Sequence, residues 1–148
     1  MPHFGLMEEA TMSKEAAALL RARLHLRGGR RRLRQGKTAA GLAALYDALG
    51  SGMQWYILRA RDASLMSLKL MVDRYADHEL FSALALAGIL DDTPAFRQLE
   101  SLLDQLLKGQ TPGFDQPRVV TVIEHWLTLL GVMPFDEETL PCEDPETF

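Results

Sequence analysis

Arg118 and His125 are the two residues of this chain whose types and spacing could act together on a phosphodiester. They are seven residues apart, so in a helix they would lie on one face, with Glu124 beside them. An arginine can hold a phosphate, and an imidazole can transfer a proton near neutral pH. The other interpretation is an exposed arginine in the first turn of a helix and a half-buried histidine beside Trp126. The residues alone favour this second interpretation.

A second candidate site is a concentration of positive charge. Eight of the 16 Lys and Arg residues lie between Arg21 and Lys37, which contains no Asp or Glu, while the other 131 residues carry eight basic and 20 acidic groups. Four of these arginines are spaced by four, three and four residues, which predicts a ridge along one side of a helix: Arg23, Arg27, Arg30 and Arg34.

Two interpretations of this arginine ridge remain open. It can bind the phosphates of a nucleic acid, or another anion. It can also be a surface matched by acidic groups, including those of residues 132–148, within one chain or across a dimer. In the second case the acidic residues mask the ridge in the resting protein.

Other chemistries lack the residues that they need. The four histidines form no metal-ligand pair and Cys142 is the only cysteine, so neither a metal site nor a cofactor is predicted. The sequence GKT at 36–38 resembles the end of a phosphate-binding loop, but Arg31 stands where that motif needs a glycine. No nucleophile elbow is present. Asp47 is expected to be exposed or paired with a cation, rather than catalytic.

The elements that must position these residues are helices. Leu and Ala dominate the apolar residues, which recur at steps of three and four. Ser13 is expected to begin the first helix and Gly36 to end it, and a second helix should run from Thr38 to about Arg59. We predict an all-α single-domain bundle of five to six helices, with these two long helices as an antiparallel hairpin at its N-terminal side.

Some boundaries within this bundle can also be predicted. Gly28-Gly29 should kink or break the first helix, although Ala22 and Gly29 would also let a neighbouring helix approach closely. Later helices should begin with N-caps at Asp77 and at Thr93, and a last helix should run from 117 to 131.

The chain divides into an N-terminal extension (1–12), a helical bundle (13–131) and an acidic, proline-containing tail (132–148). The tail holds six acids, three prolines and no base. The N-terminus has no signal-peptide pattern, and the lone cysteine is typical of a reducing compartment, so a cytoplasmic location is expected. Residues 38–58 carry a single charge, Asp47, but that charge makes a buried helix a better interpretation than a membrane span.

Over about residues 13–130 the chain resembles the HEPN-like helical domains. A long first helix precedes an alanine-rich one, GKTAAGLAALYDALGSGMQWYIL; a later helix opens with DHELFSAL, and a last helix carries Arg118 and His125. Ribonuclease members of that family use an Arg–His pair a few residues apart, usually in a dimer. Val119 departs from the polar residue that active members tend to have after the arginine. Other members bind nucleotides or pair with a nucleotidyltransferase partner.

The sequence therefore favours a non-catalytic helical binding or partner module, expected to be a homodimer. Its arginine ridge would contact RNA or another polyanion, a smaller anionic ligand, or an acidic protein segment. The alternative is an HEPN-like, metal-independent endoribonuclease that uses Arg118 and His125.

Overall fold

The computed structural model describes residues 12–145 apart from Asp62 and Met71, and within this range it contains helices and no strands. The six α-helices of the described residues are α1 (Lys14–Arg34), α2 (Thr38–Arg59), α3 (Met66–Leu70), α4 (Asp77–Leu86), α5 (Thr93–Leu107) and α6 (Gln116–Leu130). Single 3₁₀ turns lie at Ala63–Leu65, Val72–Arg74 and Glu137–Thr139. The predicted all-α bundle is confirmed. Of the predicted N-terminal extension, residues 1–11 lie outside the described residues.

Helices α1 and α2 form the predicted long hairpin. Ser13 caps α1, since its Oγ accepts the backbone N–H of Ala16 at 3.0 Å. Beyond the other end of α1, Gly36 adopts the left-handed conformation with φ 78°, which lets the chain turn at once into α2.

The predicted break at Gly28-Gly29 is wrong, because α1 continues through both glycines. A Cβ at Gly29 would lie 2.8 Å from Leu45 Cδ2 and 3.0 Å from the carbonyl oxygen of Gly41 on α2. A Cβ at Gly41 would in turn lie 2.7 Å from Leu33 Cδ2. The missing side chains allow the two helices to touch, and this packing outweighs the low helix propensity of glycine.

Helix α2 is the centre of the bundle. It packs against α1, α4, α5 and α6, and its inward residues are fully buried: Leu42, Leu45, Ala48, Leu49, Met53 and Ile57. Three aromatic rings join the later helices to one another: Phe81 is stacked on Phe96 at 4.1 Å and lies edge-on to Trp126 at 5.1 Å between centroids. Among the described residues no helix is both long and apolar enough to cross a membrane.

The later helices begin where acidic side chains meet free backbone N–H groups. The N-cap of α5 is Asp92 rather than the predicted Thr93; it lies at φ 60°, and its Oδ1 accepts the N–H of Ala95 at 3.2 Å. The N-cap of α4 is Ala76 rather than the predicted Asp77, which is the first residue of the helix; Glu79 Oε1 accepts the backbone N–H of Ala76 at 3.0 Å.

After α6, residues 132–145 form what we call the C-terminal segment, which lies along α1. Leu140 is 9% exposed and packs in a small apolar cluster with Ala17 and Leu24 of α1. The side chain of Phe135 packs at the edge of this cluster. The acidic tail of the sequence is thus, over its described part, laid against the arginine-rich helix.

Candidate functional site

Arg27 and Arg31 are buried cations between α1 and the C-terminal segment, with only 9% and 7% of their surface exposed. Glu143 Oε1 lies 3.7 Å from Arg27 Nε and accepts a hydrogen bond from Arg31 Nη1. Because the two arginines are one helical turn apart, their guanidinium groups can meet the same carboxylate. Burial of a guanidinium without a counter-charge is costly, so Glu143 is what makes this contact possible.

Arg30 joins three elements. Its Nη2 donates to Glu124 Oε1 of α6 at 3.0 Å, and its Nη1 donates to Glu137 Oε1 of the C-terminal segment at 3.0 Å. Its Nε also donates to Glu124 Oε1, at 3.3 Å. Hydrogen bonds between ionised groups are stronger than those between neutral groups, so Arg30 links α1 both to the C-terminal segment and to α6.

Arg23 holds the beginning of the C-terminal segment. Its Nε donates to the carbonyl oxygen of Val132 at 3.2 Å, and its guanidinium lies over the Phe135 ring, 5.0 Å from the centroid. Burial lowers the pKa of Arg23. Burial also lowers the pKa of Arg32, which the charge of Arg31 lowers further and the charge of Glu143 raises.

The structure therefore brings three of the four predicted ridge residues, Arg23, Arg27 and Arg30, to the C-terminal segment. The fourth, Arg34, is exposed near the end of α1. Arg31 was missed as a site residue, although its position four residues after Arg27 was a usable signal. The main-chain contact of Arg23 with Val132 had no signal in the sequence, because any residue provides a carbonyl.

The second predicted pair lies on α6. Arg118 is exposed in the first turn and lines a cleft of about 670 Å³ between α5 and α6. The apolar residues that line this cleft include Leu99, Val122 and Trp126. His125 is not among the lining residues.

His125 is held by a carboxylate on the loop before α5. Its Nε2 lies 3.0 Å from Asp91 Oδ1 and 3.1 Å from Asp91 Oδ2. Arg118 begins two helical turns earlier, about 10 Å along the axis of α6. The carboxylate can orient the imidazole, so His125 has the positioning partner that a proton-transfer group needs.

A group of acidic side chains surrounds the contact of α2 with α4 and α5. Tyr46 donates its hydroxyl hydrogen to Glu100 Oε2 at 2.8 Å, and burial together with this bond raises the pKa of Tyr46. Although Asp47 is exposed as a whole residue, partial burial of its carboxyl group raises its pKa, as does the charge of Asp77. Burial and then the charge of Glu100 raise the pKa of Asp77, while His78 lowers it.

Across residues 12–61, 63–70 and 72–145, no group of three or more potential ligands could hold a metal ion.

No protein-family model, no curated protein and no solved structure matches the chain significantly.

Proposed function

We propose that this protein is a non-catalytic helical binding module whose α1 arginines take an acidic protein segment. The observation that supports the proposal is the contact made by the chain's own C-terminal segment. In that contact Glu137 meets Arg30, and Glu143 meets Arg27 and Arg31. The surface of α1 thus already accommodates a polypeptide with carboxylates at two defined places.

The way these arginines are covered favours a protein segment over a nucleic acid. Phosphates are contacted by exposed Lys and Arg side chains, whereas Arg27 and Arg31 are enclosed between α1 and a polypeptide, and with that polypeptide in place only Arg34 of the four predicted ridge residues is exposed. Leu140 adds an apolar contact with α1 that a sugar–phosphate backbone does not supply. Both features fit an occupant with alternating acidic and apolar side chains.

The experiment is a titration of a fluorescent peptide spanning residues 134–145, with Cys142→Ser, against the full chain. The protein carries Glu137→Gln and Glu143→Gln, which weaken the resident contacts without truncating the chain. We expect saturable binding, and weaker binding of a single-stranded RNA of similar charge. Failure of the peptide to bind contradicts the proposal, and stronger, salt-sensitive binding of the RNA would replace the acidic segment with a nucleic acid.

The second candidate function is the HEPN-like, metal-independent ribonuclease. The observation that favours it is the hydrogen bond between Asp91 and His125, which gives the imidazole an orienting carboxylate. Arg118 would hold the phosphate from the first turn of the same helix. An RNA cleavage assay in the presence of a chelator, with Asp91→Asn and His125→Ala as variants, tests this candidate.

A further inference from the structure

The anchors of the C-terminal segment have a regular spacing. Glu137 is ion-paired with Arg30 at 3.0 Å, Leu140 is buried against Ala17 and Leu24, and Glu143 meets the buried arginines. Consecutive anchors are three residues apart, so the segment presents an acidic, an apolar and a second acidic side chain to α1.

Residues between these anchors contribute less to the contact. Glu138, Thr139 and Cys142 are exposed, and Cys142 lies between the second and third anchors. The recognised feature is therefore the spacing of three side chains rather than negative charge alone, since a purely electrostatic contact would not need a buried leucine.

On the basis of the function proposed above, we propose that this surface recognises a segment of another protein with the pattern Glu-x-x-Leu-x-x-Glu, and that the C-terminal segment is a displaceable internal copy of that pattern. The charge complementarity between α1 and the segment identifies the occupant's chemistry. Because the internal copy is tethered at residue 131, it competes at an effective concentration in about the millimolar range. A partner binds when it supplies the same three anchors and the internal copy leaves.

Cys142 allows the displacement to be measured in the unaltered chain. It is the only cysteine, and it is exposed, so a nitroxide can be attached within the C-terminal segment without removing an anchor. Electron paramagnetic resonance then reports the fraction of label that is mobile. The peptide of residues 134–145 with Cys142→Ser is added in excess. Two control peptides of equal charge are tested separately: one also carries Leu140→Ser, and the other has the same residues in scrambled order.

We expect the patterned peptide to raise the mobile fraction saturably, and both control peptides to leave it nearly unchanged. We also expect Glu143→Gln in the protein to lower the peptide concentration needed by at least about tenfold, because the bound internal copy reduces the competent population. Glu138→Gln, which removes the same charge from an exposed position, should not change it.

Four results would overturn this inference. If all three acidic peptides raise the mobile fraction equally, the surface binds acidic segments as proposed but does not recognise the Glu-x-x-Leu-x-x-Glu pattern. If the peptide binds the Glu143→Gln chain but does not displace the C-terminal segment of the unaltered chain, the segment is not a displaceable internal copy. A mobile fraction that falls as the protein concentration is raised, with no peptide added, would make a second copy the occupant. If no peptide binds either chain, the proposed function itself fails.

Discussion

Substitution of Glu143 by glutamine should destabilise the protein more than any other single charge removal in the C-terminal segment. The carboxylate faces Arg27 and Arg31, whose side chains are 11% and 9% exposed. Glutamine keeps the shape and one acceptor oxygen but removes the counter-charge. The two guanidinium groups then lose a counter-charge that offsets their desolvation.

The expected size follows from how deeply the pair is buried. Removal of one partner from a fully buried ion pair costs about 3–5 kcal/mol. Since 22% of the Glu143 side chain is exposed, solvent screens part of the interaction. We therefore expect about 2 kcal/mol of lost stability, which for a chain of this length lowers Tm by about 6 °C.

Thermal unfolding followed by circular dichroism measures this difference, with Glu138→Gln as the matched control. Glu138 is exposed in the same segment, so its substitution should change the free energy of unfolding by less than about 0.5 kcal/mol. If the two variants melt within about 1 °C of each other, the contact of Glu143 with the buried arginines does not stabilise the fold, and the reasoning above is refuted.

Three further predictions concern other parts of the molecule. Gly29→Ala should lower the free energy of unfolding by about 1–3 kcal/mol, because its Cβ would lie 2.8 Å from a leucine of α2. Gly28→Ala meets only the end of a flexible arginine side chain and should be neutral or stabilising. Urea unfolding of both variants measures this difference. Asp47→Asn should have a higher Tm than the unaltered chain near neutral pH, because folding raises the pKa of Asp47 and so disfavours its charged form. The difference in Tm should close as pH falls to about 4, where the carboxyl group becomes protonated in both states. A difference that widens on acidification would contradict a raised pKa of Asp47. Neither the unaltered chain nor His125→Ala should cleave RNA without metal; cleavage that is lost in His125→Ala would favour the ribonuclease.

The helices were predictable because their signals are local. Ser13 and Gly36 bound α1 much as the sequence indicated, since capping and a left-handed glycine depend on neighbouring residues only. The continuity of α1 through Gly28-Gly29 was not predictable in this way. It depends on Gly41 and Leu45 of another helix, which the pattern of α1 alone does not contain.

The site was predictable only in part for the same reason. The concentration of arginine in α1 and of acid after residue 131 indicated that the two could pair. Which side chains meet was decided by the path of the C-terminal segment, which Leu140 fixes by its burial against α1. The burial of Arg31, and the contact of Arg23 with a main-chain oxygen, follow from that path.

The predicted homodimer and the HEPN-like resemblance stay predictions. The resemblance implies an Arg–His site on α6, whereas the described ion pairs of the C-terminal segment are made with arginines of α1. An equilibrium sedimentation series would test the homodimer directly, and the displacement experiment above separates a second copy from another protein as the occupant of α1.

The most direct test of the binding proposal compares two arginines of α1 in the peptide titration. In the full chain carrying Glu137→Gln and Glu143→Gln, Arg30→Gln removes a half-buried cation that meets the segment at 3.0 Å, while Arg34→Gln removes an exposed one on the same helix. We predict that Arg30→Gln weakens peptide binding by about tenfold, as loss of an ionic hydrogen bond should, and that Arg34→Gln changes it less than about twofold. Equal losses in the two variants would mean that the peptide senses only the net charge of α1, and would contradict a defined site for an acidic segment.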